Sequence, residues 1–158
     1  AYSWVGSNAP LAGQKGGLLE GGHRVPAVAY WPGKIKAGAV ADETVLTMDL
    51  FPTMAAIAGA MVPNGLKLDG TDISDVLFRG RKLPERTVFW RTNGEGAVRK
   101  GQWKLLLDNK DKNGSGKLFN LADDIGEKNN LAGTEPEIVK SLRSEFDAWE
   151  KDVARKPS

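Results

Sequence analysis

In the second half of the chain, apolar residues come in short segments: Thr87–Thr92, Gly96–Arg99, Trp103–Leu107 and Lys117–Leu121. Asn93-Gly94, Lys100-Gly101 and Asn113-Gly-Ser-Gly116 separate them. Short strands with such turn residues between them predict an antiparallel meander. Beyond Leu121 the period lengthens. Ile138, Leu142, Phe146, Trp149 and Val153 recur every three or four residues, which predicts an amphipathic helix. Thr134 and Glu137 fit a capping box, with Pro136 early in the helix. A helix with one apolar stripe buries it against another element. Residues 85–158 therefore read as a small α+β subdomain of about four strands and one C-terminal helix. Trp149 is expected in its core, so Trp149→Ala should cost about 3–5 kcal/mol.

The first half has a different rhythm. Val25 to Trp31 is almost continuously apolar and stops at Pro32-Gly33, as suits a strand covered on both faces in a mostly parallel sheet. Lys34 to Asp42 reads as an exposed loop. Val45 to Ala60 predicts a helix with Asp49 as N-cap, Pro52 in the first turn and Gly59 near the C-cap. Leu50, Met54, Ile57 and Ala58 share one face, expected to lie on the sheet in an α/β layer arrangement. Met61 to Arg86 gathers Pro63-Asn-Gly65, Leu68-Asp-Gly70, a short amphipathic turn over Ile73–Phe78, and Arg79-Gly-Arg-Lys82. Such a concentration of glycine, proline and charge marks a join, dividing the chain into residues 1–84 and 85–158.

Composition narrows the function classes only a little. A chain of 158 residues is long enough for a real core. A net charge of +2 is too small to point to nucleic acid or an anionic membrane. There is no cysteine, hence no disulfide framework to read a compartment from. No apolar run reaches membrane-spanning length.

The candidate chemistry lies in Gly13-Gln-Lys-Gly-Gly-Leu-Leu-Glu-Gly-Gly-His-Arg-Val-Pro26. Glycines around Lys15 let a ligand approach the backbone closely. Lys15 has two readings: a cation for an oxyanion, or a solvated loop lysine. Glu20 and Arg24, four residues apart, can pair and brace the loop. His23, the only histidine, suits a general acid by its ordinary pKa but reads better as a supporting residue. Tyr2 and Trp4 are open to a cleft-lining role or plain exposure. Arg79, Arg81, Lys82 and Arg86 read as a solvated linker rather than an anion site. Asp123, Asp124 and Glu127 lack the alternating oxygen ligands of an EF-hand and read as a solvated turn. Asn113-Gly-Ser115 matches a glycosylation sequon, a pattern short enough to occur by chance.

The stretch Gly13-Gln14-Lys15-Gly16…Glu20-Gly21-Gly22-His23-Arg24-Val25-Pro26…Trp31-Pro32-Gly33 resembles the sulfatase family. The resemblance continues, in family order, through Met48-Asp-Leu-Phe-Pro-Thr53, Leu68-Asp-Gly70, Ala97–Leu105, and Leu118-Phe-Asn-Leu121…Glu127–Ala132. It implies the C-terminal part of an alkaline-phosphatase-like α/β domain followed by the small α+β subdomain. It also implies hydrolysis of sulfate esters, with Lys15 contacting the sulfate and Glu20, His23 and Arg24 supporting its loop. Relatives make their nucleophile, formylglycine, from a Cys/Ser-x-Pro-x-Arg motif, and hold Ca2+ partly through an Asp-Asn pair. The nucleophile motif does not stand in this sequence, and no Asp precedes Asp42, so the pair that normally lies just upstream of the Lys15 segment is missing. The chain thus looks like a fragment that carries no catalytic residue and no metal ligand of its own and is inactive alone. Calcium, formylglycine and the missing N-terminal part are expected in the full-length parent. Its partner would be a sulfated small molecule or glycan, without nucleic acid or a membrane span. Its location would be periplasmic, secreted or lysosomal. A noncatalytic module binding sulfated glycans, and a phosphate-ester hydrolase of the same superfamily, are the rival readings.

Overall fold

The computed structural model describes residues 6–92, 94–108 and 116–154; Tyr2, Trp4, Asn93 and the sequon at Asn113 lie outside them. The short apolar segments form strands Thr87–Thr92 (β1), Glu95–Lys100 (β2), Trp103–Asp108 (β3) and Lys117–Asn120 (β4). They pair antiparallel in chain order, the expected meander. Helices span Glu20–His23 (α1), Leu50–Ile57 (α2), Ser74–Arg79 (α3) and Pro136–Val153 (α4). The described residues group into two compact units. One takes in the segment up to Pro26 together with Glu85 onward; the other is Ala27–Pro84. One boundary between the units lies between Pro84 and Glu85. The segment before Ala27, however, groups with the sheet.

In the first unit, the register decides what each face of the sheet can do. Side chains alternate between faces along a strand. Phe89, Val98, Leu105 and Leu118 stand opposite one another across the four strands, and so share one face. That row joins Leu107, Val139, Leu142 and Phe146 in the core, so α4 covers this face. The adjacent row, Val88, Arg99, Lys104 and Phe119, falls on the other face. A fully buried lysine in that row is the anomaly that organises the unit.

Helix α4 departs from its expected stripe at both ends. Val139, Leu142 and Phe146 are buried, Trp149 is half-buried and stacked on Phe89 at 5.0 Å, and Val153 is exposed. Burial of Trp149 is thus less complete than expected, although it still packs against the core. The capping box does not form either. Glu135 holds the N-cap position without a side-chain bond, and the Thr134 hydroxyl donates to the Leu131 carbonyl at 3.1 Å. That hydroxyl is committed to the preceding turn, which the Thr134 and Glu135 amides also close onto Leu131.

The strand expected at Val25–Trp31 is absent: these residues lie in no strand, and Val28, in the second unit, is 96% exposed. A parallel strand exists only through neighbours that accept its hydrogen bonds, and no strand is described between Ala27 and Pro84. Leu50 and Met54, the face of α2 expected to lie on a sheet, are correspondingly exposed. Asp49 is buried, but not as the side-chain cap of α2. Its carboxylate accepts the Leu46 amide at 2.7 Å and the Thr71 amide at 2.9 Å. Thr53 completes the clamp, donating to the Asp49 carbonyl at 2.6 Å and accepting the Ile73 amide at 3.0 Å. Of the basic cluster, Arg79 and Arg81 both pair with Asp75.

Candidate functional site

Lys15 is exposed in the turn that begins at Gln14, whose carbonyl accepts the Gly17 amide at 3.1 Å. This turn sits directly on the backbone of α1. The Gly21 amide donates to the Ala12 carbonyl at 2.7 Å, and the Asn8 side chain donates to the Gly21 carbonyl at 3.0 Å. A Cβ on Gly21 would come within 2.6 Å of the Ala12 oxygen, and one on Gly22 would strike the Gly17 carbonyl. The glycine pair is therefore required by contact between two backbone segments.

Beneath the loop lies a charged cluster. Glu20 and Lys104 are both completely buried, and Lys104 Nζ lies 2.9 Å from Glu20 Oε1. Lys104 also lies 3.2 Å from His23 Nε2 and 2.8 Å from Glu127 Oε1, the latter an ion pair whose angle falls outside hydrogen-bond geometry. An ammonium has only donors, so His23 Nε2 accepts and the ring is neutral. Glu127 Oε2 accepts the Glu20 amide at 2.6 Å. Arg99 and Arg24 approach the other oxygen of Glu20 at 3.4 and 3.6 Å, Arg24 from an exposed position. His23 stacks on Trp90 with ring centres 4.3 Å apart.

These contacts set two ionisations. Burial alone would raise the Glu20 pKa. The hydrogen bond and charge of Lys104, followed by the charge of Arg99, outweigh it and hold the carboxylate below its ordinary value near 4.5. Burial and then the Lys104 charge push His23 below its ordinary value near 6.5.

Residues 14–152 match the family described as N-sulphoglucosamine sulphohydrolase, C-terminal. The chain belongs to the sulfatase family, in its C-terminal portion. Arylsulfatase G of Rattus norvegicus is 34% identical over 142 residues, covering 78% of this chain and 27% of that protein. Arylsulfatase A of Homo sapiens is 35% identical over 158 residues, covering 82% of this chain and 31% of that protein. The crystal structure of Ps i-CgsB, also solved in complex with k-i-k-neocarrahexaose, is 32% identical with a TM-score of 0.78. That match covers 90% of this chain and 32% of the other. The chain thus spans about a third or less of the length of these sulfatase relatives.

Sequence reasoning placed Lys15, Glu20, His23 and Arg24 in one segment, and the structure keeps the last three around one carboxylate. It missed Lys104, Arg99 and Glu127. Glu127 is corrected outright: it is 8% exposed, with its carboxylate turned inward, and only Asp123 and Asp124 behave as turn residues. The partners stand 84 and 107 residues from Glu20, so no local period could reveal them. One signal was available for Lys104. Lys104 alternates with Trp103 and Leu105 in a strand whose residues on both faces are apolar, and a lysine there needs a buried partner.

Both lowered pKa values stabilise the fold above the ordinary pKa of the group. Each contribution is lost on acidification, as the unfolded chain takes up the proton first. For His23 the loss starts below about pH 6.5, and for Glu20 below about pH 4.5. The urea midpoint is therefore expected to fall between pH 7 and pH 5, where His23 is the only side chain of the sequence with an ordinary pKa in range. His23→Gln should flatten that slope. Equal slopes for the two proteins would show that His23 is not held neutral.

Proposed function

We propose that this chain is the part of a sulfate-ester hydrolase that presents Lys15 to the sulfate group and forms part of the cleft wall. The observation that carries this reading is an exposed lysine on a turn packed against the backbone of α1, whose Glu20 is fully buried, in a chain of the sulfatase family. A surface lysine needs no such foundation. Held there, an ammonium neutralises charge on a sulfate oxygen as the S–O bond breaks. Glu20, His23 and Arg24 support the loop and do not touch the reacting atoms.

The calcium and formylglycine implied for the full-length parent are assigned to no residue of this chain. Among the described residues, no three His, Asp or Glu side chains come together to hold a metal ion, and the sequence has no cysteine. The substrate class is a sulfated small molecule or glycan, in keeping with the glycan complex solved for Ps i-CgsB. A periplasmic, secreted or lysosomal location belongs to the same reading. Among the described residues no helix is long and apolar enough to cross a membrane.

The test compares hydrolysis of a chromogenic aryl sulfate and the matching aryl phosphate by the full-length protein. Sulfate turnover that dominates is expected, with none from the 158-residue chain alone. Dominant phosphate turnover would favour a phosphate-ester hydrolase. Binding of a sulfated glycan with neither turnover would leave a noncatalytic module.

A further inference from the structure

Resting on that reading of Lys15, we propose that Lys104 and Glu127 are positioning residues for it: the C-terminal sheet and the loop after β4 hold the substrate lysine in place. Lys104 reaches the glycine-rich loop from β3 and Glu127 reaches it from the loop after β4, and both meet at Glu20. Glu127 does so from a backbone φ of 52°, a conformation that residues with a side chain seldom adopt. Its position is in turn fixed by Asp124, whose carbonyl accepts the Glu127 amide and whose carboxylate accepts those of Lys128 and Asn129.

From Glu20 the path to Lys15 is short and stiff. Gly21 is bonded to Ala12, and Gly22 packs on Gly17 with no space for a side chain between them. A displacement of Glu20 therefore moves the turn at residues 14–17 rather than being absorbed. Stability alone does not require ions here, since apolar side chains of similar volume often replace a buried ionic group without loss. What the ionic group adds is direction. Lys104 is met by Glu20, His23 and Glu127 from three sides, which fixes the loop in one place rather than merely against the sheet.

The experiment is a double-mutant cycle on the full-length protein with an aryl sulfate, using Lys15→Ala, Lys104→Met and both together. Lys104→Met is expected to lower kcat/KM by on the order of 10-fold, chiefly in kcat, because a misplaced group loses transition-state contact more than ground-state binding. The double variant should match Lys15→Ala alone within about twofold, since Lys104 acts only through Lys15. A double variant whose losses multiply, or a Lys104→Met protein with wild-type kcat/KM, overturns the proposal while leaving Lys15 as the sulfate contact. A Lys15→Ala protein at wild-type kcat/KM removes that contact and this proposal together. Lys104→Met strands two buried carboxylates, so Glu127→Gln runs in the same cycle as the milder change. It keeps an acceptor for the Glu20 amide and removes one charge. A loss of about 3-fold that vanishes in the Lys15→Ala background is expected, and one that multiplies overturns the proposal.

Discussion

Lys15→Ala in the full-length protein is expected, on the proposed reading, to lower kcat/KM for an aryl sulfate by on the order of 10²-fold, the usual loss on deleting one oxyanion donor. The backbone of its turn is closed by the Gly17–Gln14 bond and packed on by Gly22. Negative charge on the sulfate oxygens redistributes as the S–O bond breaks, and a fixed cation gains most at that moment. The loss should therefore appear in kcat as well as KM. Lys15→Arg should not restore activity fully, because a planar guanidinium cannot take the place of a compact charge. Lys34→Ala, outside the motif, is the control and should be near neutral. Equal, near-wild-type kcat/KM for Lys15→Ala and Lys34→Ala would make Lys15 an ordinary surface lysine.

Phe146→Ala is expected to destabilise the sheet and helix by about 3–5 kcal/mol, as for large-to-small changes in a packed core. The Phe146 ring is 5% exposed and lies over Gly96 of β2, where a Cβ would collide with it. It is tilted against Trp149 at 5.5 Å and Phe89 at 6.4 Å. Deleting the ring leaves a hole that neither strand can close, because the ladder fixes β2 against its neighbours on both sides. Trp149→Ala should cost less, as Trp149 is only half-buried. The chemical-denaturation midpoints of the two variants decide the order. A Phe146→Ala midpoint equal to wild type would mean that α4 does not dock through this residue.

The strand rhythm and its turn residues determined the meander, because side-chain alternation and hairpin chemistry act over a few residues. The three-to-four spacing in the last helix determined α4 for the same reason. The close backbone contact at Gly21 and Gly22 was legible because glycine marks close approach wherever it stands. Tertiary structure decided the rest. Whether Val25–Trp31 pairs depends on strands that the described residues do not supply, so its apolar run is no guide to its state here. The Thr134 hydroxyl chose the turn over the helix because the chain already doubles back at Leu131. Above all, the partners of Glu20 were invisible from its neighbours in sequence. Burial makes an unpaired charge so costly that each must find another. Only the sheet register, which turns Lys104 to the face opposite α4, and the inward turn of Glu127 decide which charges those are.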